Sequence, residues 1–154
     1  LRGRKRSLHD GGVRVPAILE WEGTVEKGQH TNVPTVTSDY LPTIADLLGI
    51  ALPDRPFDGM SLKTLIAGDD NKIPNDLLNR EIGFQSGKQV AWMRGNMKYY
   101  SADQGKTALL FDLDKDISET TNLASDMPDL LADLKKSLNR WRESTKQSAS
   151  GADY

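Results

Sequence analysis

Four cationic side chains, Arg2, Arg4, Lys5 and Arg6, stand within the first six residues of this 154-residue chain, in the stretch LRGRKRSLHDGGVRVP. The glycine pair Gly11-Gly12 follows, and then a β-branched run broken by Pro16. Basic side chains beside glycines suit an anion, because backbone lacking Cβ atoms can approach it closely while the cations offset its charge. The same composition also describes a solvated loop or a basic arm that serves solubility or non-specific contact.

Other residues could carry chemistry too. Asp112, Asp114 and Asp116 alternate, with Glu119 beyond them, and invite a calcium reading. The EF-hand template fails here, since its glycine position holds Ile117 and its bidentate twelfth position holds Leu123. A strand end running into a turn explains these acids equally well. Asp69, Asp70 and Asn71 resemble a hard-cation cluster but also have the composition of a surface loop. His30 stands in a polar connection without a neighbour to orient it, as an exposed loop histidine would. No strand-linked G-x-G-x-x-G, P-loop, H-E-x-x-H or G-x-S-x-G is present, and with two histidines and no cysteine these residues do not assemble a complete active site.

Composition bounds the rest. Hydrophobic residues are 37% and charged residues 27%, and 20 basic against 22 acidic side chains give a net charge of −2, which argues against a dedicated nucleic-acid binder. No run reaches the ~18 apolar residues that a membrane-spanning helix needs. The absence of cysteine removes disulfides and thiolate chemistry and leaves the redox compartment open. The chain starts with Leu1, shows no signal-peptide pattern, and reads as part of a longer frame.

The elements that must position these groups are legible in part. Val13 to Trp21 is expected to form a strand, with Pro16 at an edge, start or bulge. Ser38 to Leu48 is expected to form a helix capped by Ser38 or Asp39, with Leu41, Ile44, Leu47 and Leu48 as its apolar face and Gly49 at its end. A shorter helix is expected from Ser61 to Ala67, and a polar loop from Gly68 to Asn75. From Arg80 the runs REIGFQ, QVAWMR, MKYYSA and ALLFDL are separated by Ser86-Gly87, Gly95-Asn96 and Gln104-Gly105. They predict a four-stranded antiparallel meander over about residues 80 to 113. Leu130, Leu131, Leu134, Leu138 and Trp141 stripe an amphipathic helix from Asp126 to Ser144. The polar tail, 145 to 154, is expected to be disordered. The fold class is α+β.

The order of these pieces resembles the C-terminal portion of a type I sulfatase, of the arylsulfatase family within the alkaline-phosphatase-like superfamily. LRGRKRSLHDGGVRVP is similar to the family's LRG-x-K-x-x-x-x-[E/D]-GG-x-R-x-P segment, and SDYLPTIADLLGI to its s-x-x-D-x-x-PT-x-x-x-x-x-G helix. Asp58-Gly59-Met60-Ser61-Leu62 matches DG-x-SL, Arg94 to Tyr99 matches the R-x-g-x-yK hairpin, and LLFDLDKDISETTNLA matches LYDL-x-x-D-x-x-E-x-x-NLA.

The resemblance implies that residues 1–70 end an alkaline-phosphatase-like α/β catalytic domain. Residues 71–144 would then form a C-terminal subdomain of antiparallel sheet plus helix. It implies hydrolysis of aryl or carbohydrate sulfate esters by a formylglycine nucleophile and a calcium ion, both supplied upstream of Leu1. These 154 residues alone would be inactive, and a periplasmic or secreted location is the family's tendency. Lys5 takes the position of the family's sulfate-binding lysine and is the implied catalytic residue. A compact cation with three donors suits a tetrahedral anion. Arg4 and Arg6 stand where small residues are common, so Arg4 is a candidate substrate contact. His9 replaces a frequent aromatic, and it either lines the sulfate pocket or packs beneath the loop. Asp10, Gly11, Gly12 and Arg14 are expected to be scaffold. The nucleophile motif C/S-x-P-S-R and the metal-binding Asp-Asn pair are absent. Two other readings stay open: phosphate or phosphonate ester hydrolysis within the same superfamily, and a non-enzymatic module that binds polyanions through Arg2, Arg4, Lys5 and Arg6.

Overall fold

A computed structural model describes residues 1–68 and 72–152. The possible cation cluster at Asp69, Asp70 and Asn71 lies outside them. The described chain sorts into two compact units, Leu1–Pro16 with Asn79–Ala152, and Ala17–Leu78. The chain thus passes between units near Pro16 and again near Leu78, whereas the motifs suggest one boundary at residue 70.

The first unit is built on strands β1 (Glu81–Ser86), β2 (Gln89–Arg94), β3 (Met97–Ser101) and β4 (Leu109–Asp112), all antiparallel in the order β1-β2-β3-β4. This is the meander the turn residues predict. Gly87 and Gly95 adopt φ of 57° and 54° at the two tight reversals, a conformation open to glycine at little cost. Both faces of the sheet are covered. On one face Val90, Trp92, Tyr99 and Leu110 pack against Leu134 and Leu138 of α5 (Pro128–Ala149). Burying each of those leucines contributes about 1.5–3 kcal/mol. Against the other face, through Lys98 and Tyr100, lies the N-terminal loop with the single helical turn α1 (Asp10–Val13).

Helix α5 opens with Pro128 in its first turn, where the missing N–H costs nothing. It runs to Ala149, five residues past the expected end at Ser144, so half of the expected disordered tail is helical, and the tail's last two residues lie outside the described ones. Lys146, Gln147 and Ala149 are good helix formers, and no breaker occurs before Gly151.

The second unit centres on α2 (Tyr40–Leu48), preceded by a 3-10 turn at Thr37–Asp39 and followed by α3 (Lys63–Ile66) and α4 (Asn75–Leu78). Gly49 (φ 66°) closes α2 as expected, with Ile50 N–H donating back to Ala45. The cap differs from expectation. The Asp39 side chain makes no capping bond to α2; its buried carboxylate accepts the N–H groups of Val36 and Met60, at 2.8 and 2.9 Å, while its carbonyl accepts the Thr43 hydroxyl. Thr43 Oγ1 accepts Leu62 N–H at 3.0 Å, and Asp46 accepts from Ser61 and Lys63. Two of the sequence pieces, D-x-x-PT and DG-x-SL, are thus staples between α2 and residues 60–63.

Those staples decide which side of α2 is covered. Pro42, Thr43 and Ala45 are buried, while Leu41, Ile44 and Leu48 are exposed and Leu47 is half-buried, so most of the expected apolar face points outward. The strand expected from Val13 to Trp21 is not formed either. Val13 ends α1, Arg14 is extended, and the residues after it form no strand, with Ile18 97% exposed and Val15 79%. A β-branched run becomes a strand only where another strand supplies ladder partners, and none among the described residues does. Helix α4 begins at the last residue of the expected loop, Asn75, and continues over residues given no element from the sequence; it is initiated at Pro74, whose carbonyl accepts from Leu77 and Leu78.

Candidate functional site

The basic residues lie on a four-residue turn in which Ser7 N–H donates to the Arg4 carbonyl at 2.9 Å. Lys5 and Arg6 are its central residues, and Arg6 has φ 78°, a left-handed conformation that glycine normally supplies. Arg4, Lys5 and Arg6 are exposed, and among the described residues none of the three meets a carboxylate. Three uncompensated positive charges therefore project from one turn.

The glycine pair has a different job from the one its composition suggests. Gly11 N–H donates to the Arg2 carbonyl at 2.7 Å, drawing residues 2–4 down onto α1. A Cβ on Gly11 would stand 2.5 Å from the carbonyl oxygens of Arg2 and Gly3, and one on Gly12 would run into the carbonyls of Ser7 and Arg4. The space left by the missing side chains is filled by the loop's own backbone, not open to an anion. The expectation of a close backbone approach to a ligand at Gly11-Gly12 is corrected accordingly, and their role as scaffold stands.

Beneath the loop is a buried ionic floor. Lys98, wholly buried on β3, places Nζ 2.6 Å from Asp10 and 3.0 Å from Glu119. Glu119 in turn accepts hydrogen bonds from Asp10 N–H at 2.8 Å and from His9 Nδ1 at 3.0 Å. Arg14 lies 3.8 Å from Asp10 at the margin. Burial pushes the Glu119 carboxyl up, but the Asp10 amide, His9 and Lys98 together outweigh it and hold the group below its ordinary value. Glu119 itself has φ 53°, so its backbone is held in a conformation that a non-glycine residue adopts only when its surroundings impose it. Arg2 completes the link by donating to the Glu119 carbonyl at 2.7 Å.

His9 is buried, its ring 3.9 Å from that of Tyr100 and 6.0 Å from that of Phe111. The ring is thus packed beneath the loop. Lys5, Arg4 and Arg6 are brought together on the turn, with Arg2 anchored at its base. His30 is exposed and takes no part. The alternating acids serve their own turn. Asp112 accepts Asp114 N–H, and Asp116 accepts the N–H groups of Thr120 and Thr121. Among the described residues no group of His, Asp and Glu could hold a metal ion.

Three residues of this assembly, Lys98, Gln89 and Tyr100, are not candidates on sequence grounds, and Glu119 enters there only through the calcium reading. Lys98 and Glu119 stand inside the family-like segments, and the signal for them is a lysine amid aromatic residues in a strand and an acid before an N-L-A turn. Gln89 and Tyr100 give no signal. Gln89 Oε1 accepts Leu8 N–H at 3.1 Å, and its Nε2 donates to the Arg6 carbonyl at 2.8 Å. Tyr100 donates its hydroxyl to the same Oε1 at 3.1 Å. Burial pushes that hydroxyl above its ordinary value, against the pull of Arg2, so it is a protonated donor at neutral pH.

Comparison with known proteins places this arrangement. A solved 2-O GAG sulfatase superposes with a TM-score of 0.53 at 26% identity, over 73% of this chain and 26% of that one. Arylsulfatase K of Mus musculus is 31% identical over 97% of this chain and 29% of its own length. Human arylsulfatase A is 31% identical over 88% of this chain and 27% of its own. Residues 4–144 match the family model described as N-sulphoglucosamine sulphohydrolase, C-terminal. The chain belongs to the sulfatase family, and the part of it described by that model is the C-terminal one. It spans less than a third of the length of these relatives. Among the described residues no helix is long and apolar enough to cross a membrane.

Proposed function

We propose that this chain is the C-terminal portion of a hydrolase that cleaves sulfate esters of sugars or aryl alcohols, and that Lys5 binds a sulfate oxygen in it. The observation that carries this reading is the turn itself. Its cations have no carboxylate partner among the described residues, and its backbone is fixed by the glycine contacts, by Arg2 and by Gln89. A loop backbone set before the substrate arrives brings its cation to the developing negative charge with less reorganisation, which favours electrostatic stabilisation of the transition state. Arg4 faces further anionic groups of the substrate, and His9 supports the loop from below.

The formylglycine and calcium expected of such an enzyme do not fit the residues here. There is no cysteine, no nucleophile motif, and the acids nearest the turn, Asp10 and Glu119, are occupied by Lys98. Nucleophile and metal are therefore supplied by chain outside these residues, and no step of theirs is assigned to a side chain described above.

The test is sulfate release by the full-length protein, with Lys5→Ala beside it. Loss of one preorganised donor lowers kcat by about 100- to 1,000-fold in comparable sites. Unaltered turnover in the variant removes Lys5 from the mechanism.

A further inference from the structure

Gln89 opens β2 opposite Ser86, and its side chain leaves the sheet to meet the N-terminal loop more than 80 residues earlier in the chain. The carboxamide accepts from Leu8 N–H and donates to the Arg6 carbonyl, so it offers the loop the donor–acceptor pair that a neighbouring strand would offer. At neutral pH, where a carboxyl is ionised, an amide side chain carries a neutral donor and acceptor at this spacing. Its orientation is fixed by three partners that agree: two donors, Leu8 N–H and the Tyr100 hydroxyl, meet the oxygen, and one acceptor, the Arg6 carbonyl, meets the nitrogen.

The bonds fall where the turn most needs them. Arg6 sits at φ 78°, which an L residue leaves readily for negative φ when nothing restrains it. Among the described residues, Gln89 is the only sheet side chain hydrogen-bonded to Arg6, Ser7 or Leu8. The remaining ties of the loop to the rest of its unit lie at Arg2, His9 and Asp10, on either side of it. Rotation at Arg6 swings Lys5, the residue before it, away from its present direction.

We infer that Gln89, backed by Tyr100, is a positioning residue that keeps Arg6 left-handed and so sets the direction of the Lys5 ammonium. The inference rests on the reading of Lys5 as the sulfate-binding cation. It adds a residue of the C-terminal sheet, with no contact to substrate, to the groups on which turnover depends.

The experiment is a double-mutant cycle in the full-length protein with 4-nitrophenyl sulfate as the probe, comparing Gln89→Ala, Lys5→Ala and the pair. Amide hydrogen exchange at Leu8 is followed in the same proteins. Gln89→Ala is expected to speed Leu8 exchange and to lower kcat about tenfold or more, with KM changed less. In the Lys5→Ala background it is expected to cost nothing further, because residues acting through one group are not additive. Gln89→Glu supplies a second arm. Ionised, it turns a carboxylate oxygen toward the Arg6 carbonyl, whereas the protonated acid can donate there. Its activity relative to the parent protein therefore recovers as pH falls toward 5.

Equal losses from Gln89→Ala with and without Lys5, or unchanged Leu8 exchange, overturn the positioning role. So does a Gln89→Glu pH profile that parallels the parent, and that profile decides the matter if Gln89→Ala does not fold. Full turnover in Lys5→Ala alone overturns the underlying reading instead, and the two failures are told apart by that single variant.

Discussion

The Lys98 ammonium and the Asp10 carboxylate meet at 2.6 Å across 88 positions of sequence, both essentially shut off from water. Isolated buried charges are costly, so each here exists by virtue of the other, with Glu119 as the third member. The contact joins the middle of the sheet to the base of the basic loop, and the loop's position depends on it.

Lys98→Met keeps an apolar stem of similar reach and leaves two carboxylates facing each other in the interior. Breaking a buried pair by removing one partner costs about 3–5 kcal/mol. Urea unfolding followed by far-ultraviolet circular dichroism should show a loss of that order. An unchanged midpoint would mean that the ionic floor is wet.

Glu119 gives the same cluster a pH dependence of known sign. Its carboxyl is held below the ordinary value of 4.5 in the folded chain, so its contribution is complete above about pH 4.5 and disappears as the pH falls through the folded value. Glu119→Gln has no such titration. The difference in urea midpoint between the parent and this variant should be largest at pH 7 and shrink steadily toward pH 3. A constant difference would contradict the assignment.

Gly83 lies under the Trp141 ring, and a Cβ there would stand 2.6 Å from Trp141 Cδ2. That distance is too short for any side chain, so Gly83→Ala must displace the indole or the strand. Overpacking of this kind costs about 1–3 kcal/mol. Trp92 and Trp141 have ring centroids 5.8 Å apart, and so tryptophan emission should shift along with the midpoint.

The sheet and α5 were legible because their signals are local. Glycine turns at Gly87 and Gly95 separate alternating runs, and Leu134 and Leu138 recur at helical spacing and are buried. The turn bearing Lys5 could be located, but not its support, since Gln89 and Lys98 meet it through contacts more than 80 residues apart that leave no periodic trace. Helix α2 misled for a related reason. Leu41, Ile44 and Leu48 form a regular apolar row, yet hydrogen bonds from Asp39 and Thr43 hold the opposite side against residues 60–62. Periodicity shows that a helix has two faces, and side-chain hydrogen bonds here chose which one turned inward. Val13 to Trp21 misled because a strand is a property of a pair.

The outward-facing Ile18, Leu19, Trp21, Ile44 and Leu48 set the terms on which these residues can be handled at the bench. Apolar side chains in contact with water promote self-association and non-specific adsorption where they lie together. A preparation limited to this segment should elute from a sizing column as a spread of clustered species, and it will call for mild detergent or a soluble carrier to stay dispersed.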